Sequence, residues 1–116
     1  MVVDWTGTDP QVRGPINATY GVTAGATYNA IFHLTDMHIP KNSGAYRPLR
    51  IIAPPGSAVN VVYPGPPVGG NTETHPKLAD MVVAATNEAL RSAQQAVEAK
   101  LRGSMPDLGA LGLPGL

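Results

Sequence analysis

Cysteine is absent from the 116-residue chain, and with it go disulfides, thiolate metal sites and thiol nucleophiles. That absence fits a reducing compartment, and a cytoplasmic location is expected. Large apolar side chains are scarce. Val, Ile, Leu and Phe together number 26, just above the fraction of roughly 20% at which disorder becomes the default. Any core must therefore be thin. Aromatic residues make up 5% of the chain, with one Trp and one Phe. No stretch approaches the ~18 apolar residues of a membrane-spanning helix. The opening Met1-Val2-Val3-Asp4-Trp5 has neither the basic region nor the apolar run of a secretion signal. An excess of either charge is also missing: Lys plus Arg and Asp plus Glu number 8 each. Met1 to His75 and Pro76 to Leu116 balance separately. Binding through phosphate neutralisation concentrates Lys and Arg, so nucleic acid is disfavoured as a partner.

Turn-forming residues are plentiful instead, with 13 Gly and 12 Pro against a usual combined share of roughly 12%. Much of the backbone is committed to turns and extended loops. With so thin a core, such a chain needs neighbours to pack against, and it is expected to be part of a larger fold.

Val2 to Thr6 reads as a strand ended by the turn Gly7-Thr8-Asp9-Pro10. Ala24, Tyr28, Ile31 and Leu34 fall on one helical face, predicting a helix from Thr23 to about Thr35 with Thr23 as its N-cap. Pro48 to Ala53 and Ala58 to Tyr63 read as two further short strands. Pro64 to Asn71 is too rich in Pro and Gly for regular structure. Thr74 then caps a long helix, with Pro76 in its first turn and Leu78, Val82, Ala85, Ala89, Ala93, Ala96 and Leu101 as a narrow stripe. Gly103 is its expected stop. The fold class is mixed α/β: short strands, long Gly and Pro loops, one short helix and a long C-terminal helix. The expected divisions are 1–75, the helix 76–102, which should be stable only when docked, and a loose tail 103–116.

His33, Asp36 and His38 form the one cluster with metal-ligand residue types. Asp36 follows His33 by three residues, close enough to share a helical face. His38 falls beyond the expected helix end and must fold back to complete a site. The alternative is structural, a His near a helix C-terminus stabilised by the dipole. Arg13, Arg47 and Arg50 offer planar guanidinium forks that suit a carboxylate or amide oxygen. Beside turns, Arg often bonds loop carbonyls or pairs with carboxylates such as Asp4 and Asp9, and that structural role is the leading expectation. Gly69-Gly70-Asn71 permits close backbone approach to an anion or a tight structural turn. It lacks the Lys-Ser/Thr of a phosphate loop. No His or Lys stands at motif spacing from Thr6, Thr8 or Ser57, which leaves covalent catalysis unsupported. Trp5 reads as a packing anchor.

Three segments together resemble the hydantoinase B/oxoprolinase family. They are Asp4-Trp5-Thr6-Gly7-Thr8-Asp9-Pro10-Gln11-Val12-Arg13-Gly14, Ile39-Pro40-Lys41-Asn42-Ser43-Gly44-Ala45-Tyr46-Arg47-Pro48 and Gly69-Gly70-Asn71-Thr72-Glu73-Thr74. With the linking Ala53 to Asn60, the resemblance runs from about Val2 to Met81 and matches the later part of that family. It implies a subunit that works with an ATP-binding hydantoinase A-type subunit or domain to open cyclic amides such as hydantoins and 5-oxoproline; relatives carboxylate ketones. It also implies a divalent metal, held by an amino-terminal Gly-Thr-His-x-x-Asp motif that no segment here matches. This chain is therefore expected to carry no cofactor and to be inactive alone. Arg13, Arg47 and Asn71, inside the motif segments, become candidate substrate contacts. From Val82 onward, Val82 to Ala93 with Gly112-Leu113-Pro114-Gly115-Leu116 resembles the C-terminal helix and tail of the nucleoid-associated YbaB family. That resemblance implies an alternative, a small non-enzymatic interaction or DNA-binding module. A homo-oligomer accords with either.

Overall fold

The computed structural model describes residues 1–36 and 38–104. Its elements in chain order are β1 (Val2–Asp4), α1 (Tyr20–His33), α2 (Ser43–Tyr46), β2 (Arg50–Ile52), a π-helical turn (Gly70–Thr74) and α3 (His75–Ser104). β1 and β2 pair in parallel, Val2 opposite Arg50, Val3 opposite Ile51 and Asp4 opposite Ile52. A parallel pair needs a long crossover, and the segment containing α1 supplies it. The fold is thus mixed α/β, a two-stranded parallel sheet with a long C-terminal helix. By its internal contacts the chain divides into two compact units, Met1–Ala84 and the stretch beginning at Ala85.

The first unit has the thin core that composition predicts. Trp5, Ala18, Ala26, Ala30, Val59, Leu78 and Val82 form it, with Val3, Val22, Ile31 and Ile51 among the partly buried residues around them. Trp5 is buried as an anchor, and among the described residues its indole N–H has no hydrogen-bond partner. Leu78, Val59 and Val82 are the largest aliphatic members, each contributing about 1.5–3 kcal/mol by burial.

α1 begins earlier than the periodicity predicts. Thr19, in extended conformation, is the N-cap, and its hydroxyl accepts the Val22 N–H at 3.3 Å. Thr23 lies a turn inside. The buried face also differs: it is Thr23, Ala24, Ala26, Thr27 and Ala30, whereas Leu34 is 38% exposed. The reason is close approach. Thr23 donates its hydroxyl to the Val59 carbonyl at 2.5 Å, and Thr27 donates to the Thr23 carbonyl at 2.9 Å. Short side chains let the loop reach the helix, and both buried hydroxyls are satisfied. Tyr28, expected in the core, instead stacks on Tyr46 with ring centroids 4.3 Å apart.

Gly25 lies inside α1, and a Cβ added there meets nothing within 4 Å. Gly25→Ala should therefore stabilise the chain by roughly 0.5–1 kcal/mol, since alanine loses less backbone entropy in a helix. Urea denaturation measures this; an unchanged or lower midpoint would mean that α1 is not formed as described.

The expected strand at Ala58 to Tyr63 is not one. Its N–H groups go to scattered acceptors instead of a ladder: Ala58 to the Asp9 carbonyl, Asn60 to Ser57, Val61 to Ala18, and Val62 to the Gln11 side-chain oxygen. Only Val59 is buried among its large apolar residues, and Tyr63 is 97% exposed. Likewise, Gly70 and Asn71 are not wholly irregular but enter the π-helical turn ahead of α3. Thr74 does not cap the helix. Its hydroxyl donates to the Ile16 carbonyl.

In the second unit α3 continues to Ser104, so Gly103 lies within the helix and does not stop it. Every residue from Asn87 to Gly103 is exposed. The expected tail beyond Ser104 lies outside the described residues.

Candidate functional site

Asn17 organises the surface on which two of the candidate substrate contacts sit. It follows Gly14-Pro15-Ile16, a stretch that favours a turn, and a short amide can stand in for backbone groups there. Asn17 is fully buried. Its Oδ1 accepts the Val12 N–H at 2.8 Å, and its Nδ2 faces the carbonyls of Val12 at 2.8 Å, Gly14 at 3.1 Å and Pro66 at 3.1 Å. The loop carrying Arg13 is thus tied to the Pro-rich segment far along the chain. The next turn of that segment docks on the same loop. The Gly69 N–H donates to the Pro15 carbonyl at 2.5 Å, and Thr74 reaches the Ile16 carbonyl. Gly70 packs so closely that a Cβ there would overlap the Asn17 carbonyl oxygen. Glycine is required for that contact.

Arg13 and Asn71 are held by this one bracket, both exposed. Their polar ends are available for a ligand. The backbone N–H groups of Gly69 and Gly70 are not, because they donate to Pro15 and Pro67 carbonyls. The anion-cradle alternative for this glycine pair therefore gives way to the structural one. Arg47 sits elsewhere, as the exposed C-cap of α2, a helix whose N-cap Asn42 accepts from the Gly44 and Ala45 N–H groups. α2 is fixed to α1 by Tyr46, which stacks on Tyr28 and meets Phe32 edge-on at 5.5 Å. Arg50 opens β2. Asp4's carboxyl is held below its ordinary pKa chiefly by hydrogen bonds from Thr6, with the Arg50 charge adding to them.

His33 and Asp36 line a concavity of about 230 Å³ together with Asn29, Phe32 and Lys41. The Lys41 ammonium lies 5.8 Å from the centroid of the Phe32 ring. His38 is not in this lining; its backbone N–H donates to the Asp36 carboxylate at 2.8 Å. That contact engages one carboxylate oxygen of Asp36 within its own loop. Among the described residues, no group of three or more His, Cys, Asp or Glu side chains is placed to hold a metal ion.

Asn17 escaped the sequence reading, as did the Thr23 hydroxyl, Gln11 and Asn60, whose Nδ2 donates to the Ala53 carbonyl at 2.7 Å. The signal was available at Asn17, because a Gly-Pro-x-Asn loop invites an amide that replaces backbone partners. Thr23 was misread as a cap because Thr serves both roles.

Among the described residues, no helix is long and apolar enough to cross a membrane. No solved structure matches the chain. The chain is 42% identical over 80 residues to an uncharacterised protein of Methanocaldococcus jannaschii, covering 69% of this chain and 14% of that one. It is 33% identical over 84 residues to a 5-oxoprolinase of Dictyostelium discoideum, 72% of this chain and 7% of the enzyme. A Pseudomonas protein whose name describes the B-type subunit of a D-/L-hydantoinase is 36% identical over 75 residues, 59% of this chain and 13% of that protein. The chain thus spans 14% or less of the length of these relatives. A family model described as Hydantoinase B/oxoprolinase matches residues 1–112, running past Met81 through all of α3. The three motif segments and the terminal helix fall inside that single match, and the chain belongs to the Hydantoinase B/oxoprolinase family.

Proposed function

We propose that this chain is a scaffold portion of a hydantoinase B-type subunit in an ATP-dependent hydrolase that opens cyclic amides, and that it turns over no substrate by itself. The observation that carries this reading is the Asn17 bracket: Asn17 and the motif glycine Gly70 hold the Arg13 loop and the Gly69 turn, each part of a family-like segment, by their backbones. The names of the relatives, a 5-oxoprolinase and a B-type hydantoinase subunit, support the substrate class. In this reading ATP binds an A-type partner subunit or domain. The described residues offer no group suited to the family's divalent metal, so no step is routed through a metal on this chain. Arg13, Arg47 and Asn71 present donors that suit the carboxylate or ring amide oxygen of a substrate completed by the rest of the subunit. A cytoplasmic location accords with the need for ATP.

The test is a ring-opening assay with 5-oxoproline and with hydantoin, with and without ATP and divalent metal, on the purified chain. No product above the protein-free blank is expected. Measurable turnover by the chain alone would overturn the scaffold reading.

A further inference from the structure

Leu90, Val97 and Leu101 are each more than half exposed on α3. Residues seven and eleven positions apart fall within about 20° of one another on a helix of 3.6 residues per turn. The three side chains thus form one apolar stripe, with Gln94 inside it, and Arg91 and Glu98 lie together along one flank. Among the described residues neither of these two forms a salt bridge. We propose that this stripe is an interface with a second copy of the chain, the two α3 helices packing antiparallel about a two-fold axis near Gln95.

Charge and shape both select that arrangement. In an antiparallel pair, like flanks face each other, so Arg91 of one copy meets Glu98 of the other and the symmetry repeats the contact. A parallel pair opposes unlike flanks and loses both contacts. With the axis near Gln95, Leu90 stands level with Leu101 of the second copy within about 1.5 Å, the rise of one residue. Gln94 meets its own symmetry mate close to the axis, where a polar core residue fixes register at some loss of stability. The stripe is short, so the association is weak and concentration-dependent.

The test uses the full chain. Sedimentation equilibrium should show monomer passing to dimer as concentration rises. Arg91→Glu and Glu98→Arg should each weaken the association by about tenfold, because two unlike-charge contacts become like-charge ones. The double variant should restore it. Because the chain contains no cysteine, Gln94→Cys gives a single thiol that should oxidise to a covalent dimer. Leu101→Cys should not, as its symmetry mate lies about 18 Å away along the axis. Circular dichroism of each variant confirms an intact helix. A monomer at every concentration would overturn the proposal and assign the stripe to another part of a larger polypeptide or to a different subunit. Equal cross-linking at both positions, or single reversals without effect, would also overturn it.

Discussion

Replacing Asn17 with alanine should unfold much of the first unit, lowering stability by about 3–5 kcal/mol, because several buried backbone groups lose their partner at once. The side chain is fully buried and meets one N–H and three carbonyls. An amide carries two N–H donors, so three carbonyls within 3.1 Å use its capacity fully. Domains of this size are stable by only about 5–15 kcal/mol, which makes the loss a large fraction of the whole. Asn17→Asp tests the chemistry separately from the shape. It keeps the volume but replaces the donor with a second acceptor facing carbonyls, and it should be at least as damaging near neutral pH. Urea denaturation followed by Trp5 fluorescence reads both. A change under about 1 kcal/mol for either variant would show that the bracket is not what holds the loop.

Gly70→Ala should have an effect of similar size for a steric reason. The added Cβ would overlap the Asn17 carbonyl oxygen and lie 3.1 Å from the Ala18 Cα, both backbone atoms that cannot rotate away. The π-helical turn must then lift from the loop, at a loss of about 3 kcal/mol. Gly103→Ala is the control, since a Cβ there meets nothing within 4 Å, and it should be neutral or mildly stabilising. Asn17→Ala and Gly70→Ala open the same bracket, so the double variant should lose clearly less than the two single losses added together. Full additivity would mean that the two residues hold independent contacts.

Asn17 belongs to the part of the fold that the sequence reading missed, and the reason is physical. Short apolar runs bounded by turn residues located β1 and β2, and periodicity, which reports side chains that bury apolar area, located α1 and α3. It failed on α1's inner face because Thr23, Ala26, Thr27 and Ala30 are buried for their smallness, which a search for large apolar residues passes over. Ala58 to Tyr63 reads as a strand from its Val and Tyr content, yet its N–H groups find acceptors on three different segments, at Asp9 and Gln11, at Ala18 and at Ser57. The Gly69-Gly70 turn was legible as a structural option, but its need for glycine depends on the Pro15 to Ala18 backbone, more than 50 residues earlier. Arg13 and Asn71 were legible as candidates through the motif segments; their attachment to one bracket was not. Family membership was legible for the same reason, since Gly, Pro and Asn at close backbone contacts leave a distinctive spelling.

The central claim is that the family's motif segments act here as backbone architecture, and amide hydrogen exchange tests it most directly. The N–H groups of Val12, Ala18, Val61 and Gly69 lie in irregular segments, where exchange is ordinarily fast. Here they donate to Asn17 Oδ1 at 2.8 Å, to the Ala58 carbonyl at 2.7 Å, to the Ala18 carbonyl at 2.9 Å and to the Pro15 carbonyl at 2.5 Å. These four amides should exchange as slowly as the core amides of α1, and the protection should vanish at all four together in Asn17→Ala. Exchange at unprotected rates in the unaltered chain, with α1 still protected, would contradict the account.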